Sequence, residues 1–76
     1  MNLNRIRWHC RRGLLELDIV LERFVDVHYA RLSEEERRAF LELLDYPDVD
    51  LWHLVSRRSE LDIPRLRPVL EKLRAS

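Results

Sequence analysis

One glycine in 76 residues, Gly13, is the feature that most limits what this chain can become. Glycine supplies the backbone conformations that tight turns and helix stops demand. With so little of it, with leucine abundant and with glutamate and arginine dense, the chain favours helix almost everywhere. Gly13 sits in Arg11-Arg12-Gly13-Leu14-Leu15-Glu16-Leu17-Asp18, between an arginine-rich segment and the longest apolar-periodic run. A lone glycine at such a junction marks a sharp turn or a close approach by another surface. Arg12 before it and Glu16 three residues after it set both charge signs beside bare backbone, which suits docking better than catalysis.

The length predicts one domain spanning residues 1–76. Apolar spacing predicts five helices with short connections, so the expected fold is all-α, a compact five-helix bundle. The first helix is expected from Asn4 to Arg11, with Leu3, Ile6 and Cys10 as a short apolar stripe and Gly13 as its left-handed stop. The second is expected from Leu14 to Tyr29. Leu14, Leu17, Val20, Leu21, Phe24, Val25 and Val27 fill one arc, and Glu16, Asp18, Glu22, Arg23 and Asp26 fill the other. Leu15, Ile19 and Tyr29 fall within the polar arc, which calls for a second packing face or a partner.

Ser33 followed by Glu36 has capping-box spacing, with Leu32 placed as a staple, so a third helix starts there. Ala39, Phe40, Leu43 and Leu44 form its apolar face, and Pro47 ends it by pushing Tyr46 out of helical geometry. A fourth helix is expected to begin with Asp48 as N-cap, to carry Leu51, Trp52, Leu54 and Val55, and to end near Arg58 or Ser59. The fifth runs from Asp62 through Leu66, Val69, Leu70 and Leu73. Pro68 requires either a kink or a start nearer Arg67.

The net charge is zero but unevenly placed. Residues 1–12 carry Arg5, Arg7, Arg11 and Arg12 and no acid, and the remainder carries an acidic excess. Such asymmetry steers a mixed-charge protein partner and matches general nucleic-acid binding poorly. Cys10 is the single cysteine, so no intramolecular disulfide forms, which fits a reducing cytoplasm. The N-terminus lacks the apolar stretch of a secretory signal, and no apolar run approaches the ~20 residues of a membrane helix.

Little in the chain points to catalysis. His9, His28 and His53 lack the spacing of a helical metal pair. Cys10 reads as a small buried hydrophobe. No nucleotide-cradling glycine loop is possible with one glycine. Asp48 and Asp50 read either as complements to a helix dipole or as an acidic docking patch.

Trp8-His9-Cys10-Arg11-Arg12-Gly13-Leu14-Leu15-Glu16-Leu17-Asp18 resembles the signature of the succinate dehydrogenase assembly factor 2 family, the small bacterial and mitochondrial flavinylation factors. Arg12, Gly13 and Glu16 match that family's Arg-Gly-x-x-Glu hallmark. Ser33-Glu34-Glu35-Glu36 with Phe40 and Leu43-Leu44 resembles its third helix. Asp48-Val49-Asp50-Leu51-Trp52 resembles its Asp-Pro-Asp-Leu-aromatic segment, with the proline missing and Pro47 two positions earlier.

The resemblance implies a five-helix fold and a non-enzymatic role, with no cofactor or metal of its own. Such a chaperone binds the immature flavoprotein subunit of succinate dehydrogenase, or of the related fumarate reductase, and promotes covalent FAD attachment to it. Arg12, Gly13 and Glu16 would form the contact surface. Arg11 and Trp8 would support it, and Asp18, Asp48 and Asp50 are further candidates. The expected state is a cytoplasmic monomer without nucleic acid or membrane insertion. The rival reading is a small regulatory or antitoxin-like module that engages protein or nucleic acid through Arg11 and Arg12.

Overall fold

The computed structural model describes residues 3–76, with the side chains of Leu3, Asn4 and His9 outside that description. The described residues form five α-helices and no strand: α1 Leu3–His9, α2 Leu15–His28, α3 Glu34–Leu44, α4 Asp48–Val55 and α5 Arg67–Arg74. A single 3-10 turn, Tyr29–Arg31, follows α2.

Each helix turns its apolar stripe inward. Ile6 and Cys10 come from the first segment, Leu17, Leu21, Phe24 and Val25 from α2, and Ala39, Phe40, Leu43 and Leu44 from α3. Leu51, Leu54 and Val55 of α4 meet Val69, Leu70 and Leu73 of α5 in the same cluster. The Phe24 and Phe40 rings stack tilted at 4.9 Å, and Tyr29 meets Phe40 edge-on at 6.0 Å, which joins α2 to α3 through aromatic contact. Tyr29 is thereby absorbed into the fold. Val27 is half exposed instead of buried, because it lies about 80° around α2 from Leu17, at the margin of the arc.

Several ends differ from the sequence expectation. The first helix stops at His9, and a last turn is closed by Cys10 N–H donating to Ile6 O at 3.1 Å and Arg11 N–H donating to Trp8 O at 3.1 Å. Gly13 therefore lies in the α1–α2 connection beyond the helix stop, although its φ of +88° is the left-handed geometry expected of it. The N-cap of α4 is Pro47, with extended backbone and no side-chain cap, and Asp48 is the first helical residue. That helix ends early at Val55. Arg57 adopts φ 66°, Arg58 N–H donates to His53 O at 2.8 Å, and Arg57 N–H donates to Leu54 O at 3.3 Å, a Schellman stop built on an arginine. The last helix begins at Arg67, because Pro68 deeper in a helix would strike the carbonyl of Pro64. Residues 64–66 form a turn instead.

The capping box before α3 forms as its spacing requires. Glu36 N–H donates to Ser33 Oγ at 3.1 Å, and Ser33 N–H donates to Glu36 Oε1 at 3.0 Å. Helix C-termini use a different device. Every helix leaves carbonyls unsatisfied at its end, and glycine is the usual solution. Here arginine forks from elsewhere in the fold reach three of the four interior ends. Arg37 donates to Tyr29 O and Ala30 O after α2, Arg12 to Leu44 O and Tyr46 O after α3, and Arg74 to Leu54 O and Ser59 O around the end of α4.

Candidate functional site

The α1–α2 connection is fixed by side chains that point into the protein. Asp18, in the first turns of α2, folds back on the loop. Its carboxylate accepts Arg12 N–H at 2.8 Å and Gly13 N–H at 3.2 Å, so two backbone donors before the helix are satisfied by one acid. The Arg12 side chain turns away from Glu16 and crosses to the α3–α4 corner. Its Nη1 donates to Leu44 O at 2.6 Å, its Nη2 to Tyr46 O at 2.5 Å and its Nε to Asp48 Oδ1 at 2.6 Å. The Arg12 side chain is only 12% exposed.

Three of the sequence candidates, Arg12, Asp18 and Asp48, thus meet in one network, with Gly13 at its turn. A planar guanidinium reads two carbonyls and a carboxylate at once, which a lysine could not do. Asp50 is exposed in the first turn of α4 and outside this network.

What the network leaves outward is a second group. Gly13 is exposed, and a Cβ added there would meet nothing within 4 Å. Glu16 is exposed in the first turn of α2. Arg11 lies over the Trp8 ring at 5.8 Å, a cation–π contact, and Trp8 is 72% exposed. Leu15 and Ile19, the two residues that broke the helical pattern, are 71% and 46% exposed. Together with Trp8 they are large apolar side chains left exposed beside charged groups. Beside them α1 and α2 enclose an open groove of about 370 Å³. Leu15 and Ile19 were visible in the sequence as off-pattern residues. The inward turn of Arg12 carried no local signal.

Cys10 lines this groove but is buried, and burial pushes its thiol up to about 11 against the lowering pull of Arg12 and Arg7. Such a thiol is not a nucleophile near neutral pH. No three His, Cys, Asp or Glu side chains cluster as a metal ion would need among the described residues. His28 packs its ring 5.3 Å from Phe24, while the side chain of His9 lies outside the description. Arg7 pairs with Asp26 at 2.6 Å, and Arg12 is engaged at the α3–α4 corner. No helix among the described residues is long and apolar enough to cross a membrane.

Fold and surface together define a class: a small all-helical protein with an exposed loop and groove held from behind by a charged clamp. The sequence profile described as the flavinator of succinate dehydrogenase matches residues 4–76, and the chain belongs to that family. It is similar to the FAD assembly factor SdhE of Ralstonia nicotianae, 45% identical over 75 residues, covering 93% of this chain and 79% of that protein. The FAD assembly factor SdhE of Haemophilus ducreyi is 36% identical over 76 residues, covering 100% of this chain and 93% of its own. That of Methylococcus capsulatus is 42% identical over 71 residues, covering 93% and 86%.

Proposed function

We propose that this protein is an assembly chaperone that binds the flavin-free flavoprotein subunit of succinate dehydrogenase and promotes covalent FAD attachment to it. The related fumarate reductase subunit is a second client of the same kind. The protein contributes no catalytic group. It holds the client in a form in which the client closes its own flavin bond, and FAD is the client's cofactor, not its own. It acts as one cytoplasmic domain of residues 1–76.

The observation that carries this reading is the division of labour within the Arg-Gly-x-x-Glu segment, in a chain of the flavinator family. Arg12, Asp18 and Asp48 hold the loop from inside, while Gly13, Glu16, Arg11 and Trp8 stand outside it. A bare glycine admits close backbone approach, and Glu16 and Arg11, which form no ion pair among the described residues, supply oriented, charge-assisted hydrogen bonds. Asp50 flanks the clamp on α4 and extends the acidic side of the surface.

The test is the covalent flavin content of the succinate dehydrogenase flavoprotein subunit, read by in-gel fluorescence after denaturation. Cells with the protein, without it, and with Glu16→Gln are compared, after circular dichroism has established that the variant folds. Flavin content should fall without the protein and fail to recover with Glu16→Gln. Equal flavin content in all three would refute the reading. A salt-dependent gel shift on nucleic acid would favour the regulatory-module alternative.

A further inference from the structure

The groove between α1 and α2 has a definite chemistry. Cys10 and Val25 are buried and form its floor, while Leu15 and Ile19 stand exposed one helical turn apart on its rim. Arg11 stands on the α1 side, and Glu22 follows Ile19 on the same face of α2; neither forms an ion pair among the described residues, whereas Arg7 and Asp18, which also line the groove, are engaged by Asp26 and by the Arg12 and Gly13 N–H groups. The α1 side therefore offers a cation, and the α2 side an anion beside its exposed apolar pair, neither of them in an ion pair among the described residues.

We propose that this groove seats one short amphipathic α-helix of the flavoprotein client, with an apolar ridge at i, i+4 spacing toward Leu15 and Ile19, an acidic side chain toward Arg11 and a basic one toward Glu22. The proposal rests on the client-binding reading above and names what the client presents.

The occupant is helical because both walls are helices, whose backbone groups bond within themselves. An extended segment would find no edge to pair with, whereas a helix brings its own hydrogen bonds and packs ridge into groove. The helical span of the groove from Leu15 to Val25 is about 15 Å, so roughly three turns of a partner helix fit. A second copy of this chain fits worse. A two-fold contact would set concave groove against concave groove and leave both floors unfilled. The groove is also continuous with the Gly13–Glu16 loop, since Leu15 belongs to both.

The experiment measures binding of the flavin-free succinate dehydrogenase flavoprotein subunit to four full-length proteins: wild type, Ile19→Glu, Glu22→Arg and Glu16→Gln. Melting temperature and sedimentation are recorded for each. Ile19 and Glu22 are exposed, so both of their variants should melt as wild type does. Ile19→Glu should weaken Kd about tenfold or more, as putting a charge in place of an apolar contact residue does. Glu22→Arg should weaken it less and mainly at low salt.

A photo-crosslinking residue at Ile19 should attach to a helical client segment with the stated pattern. Unchanged Kd for Ile19→Glu while Glu16→Gln loses binding would overturn the groove and leave the client reading standing. Attachment to an extended client loop would likewise overturn it. Wild-type self-association abolished by Ile19→Glu with client affinity intact would assign the groove to a second copy. Absence of client binding by wild type would overturn the groove and the client reading together.

Discussion

Replacing Arg12 by alanine removes a guanidinium that ties the α1–α2 loop to the α3–α4 corner, and the size of the effect can be worked from its partners. Two bonds run from a cation to backbone carbonyls, Leu44 O at 2.6 Å and Tyr46 O at 2.5 Å. Hydrogen bonds involving a charged group contribute about 1.5–3 kcal/mol each, toward the low end here because water can reach an opened corner. The pair with Asp48 adds less, about 0.5–1 kcal/mol, since the aspartate is 39% exposed and solvent screens it.

The contributions are not additive, and about 2–3 kcal/mol is the expected loss. A chain of this length has roughly 4–11 kcal/mol in total, so the variant should remain folded but melt about 10–20 °C lower. Urea unfolding followed by helical circular dichroism measures it. Arg12→Lys should recover only part of the loss, because an ammonium cannot span both carbonyls and the carboxylate. Asp48→Asn should lose at most about 1 kcal/mol, and 1 M salt should erase little of the Arg12 contribution. A midpoint unchanged in Arg12→Ala would refute the clamp, and the loop would then be held by Asp18 alone.

Gly13→Ala should lose about 1 kcal/mol from its φ of +88°, and Gly13→Asn less, since asparagine tolerates the left-handed region. Both should lose client affinity, as the added Cβ occupies space that is open in the free chain; a folded Gly13→Asn protein with normal affinity would confine the glycine to the turn. Arg57→Gly, relieving a φ of 66° at the end of α4, should raise stability by about 0.5–1 kcal/mol in the same urea assay, and a lowered midpoint would mean that the arginine side chain contributes there. Glu36 is held down to about 2, from an ordinary 4.5, by the Lys72 ammonium and then by the Ser33 N–H. A carboxylate with a depressed folded pKa stabilises fully above about pH 4.5 and loses that contribution as pH falls toward 2. The melting temperature should therefore fall over that window and fall less in Glu36→Gln, whereas parallel curves would rule the group out.

Local signals carried much of the fold. Ser33 and Glu36 act within one turn of each other, so their spacing alone announced the start of α3. The stripe of α2 and the left-handed backbone of Gly13 were equally local. Leu15 and Ile19 stood out because they violated that stripe, and they are exposed. The misplaced ends share a cause: they depend on groups distant in sequence or on unusual residues. The last turn of α4 stops at an arginine in left-handed geometry, where sequence patterns anticipate glycine. Pro47 took the N-cap position from Asp48, whose carboxylate is engaged by Arg12 thirty-six residues away. Arg12 was read as an outward contact because its motif is short and linear. Its partners at Leu44, Tyr46 and Asp48 exist only once the helices have packed.

The arginine forks at the helix ends bear on how the chain folds. A glycine stop is encoded within its own helix and works in an isolated peptide. Here the end of α3 is met by Arg12, thirty-two residues away in sequence, and the local stop of α4 is completed by Arg74, whose side chain is 2% exposed, from the last turn of α5. No such helix has complete ends until its neighbours have arrived, so secondary and tertiary structure close in the same step. Fragments should fray, the intact protein should unfold as one unit, and loss of the final turn should loosen α4 and the loop after it rather than α5 alone.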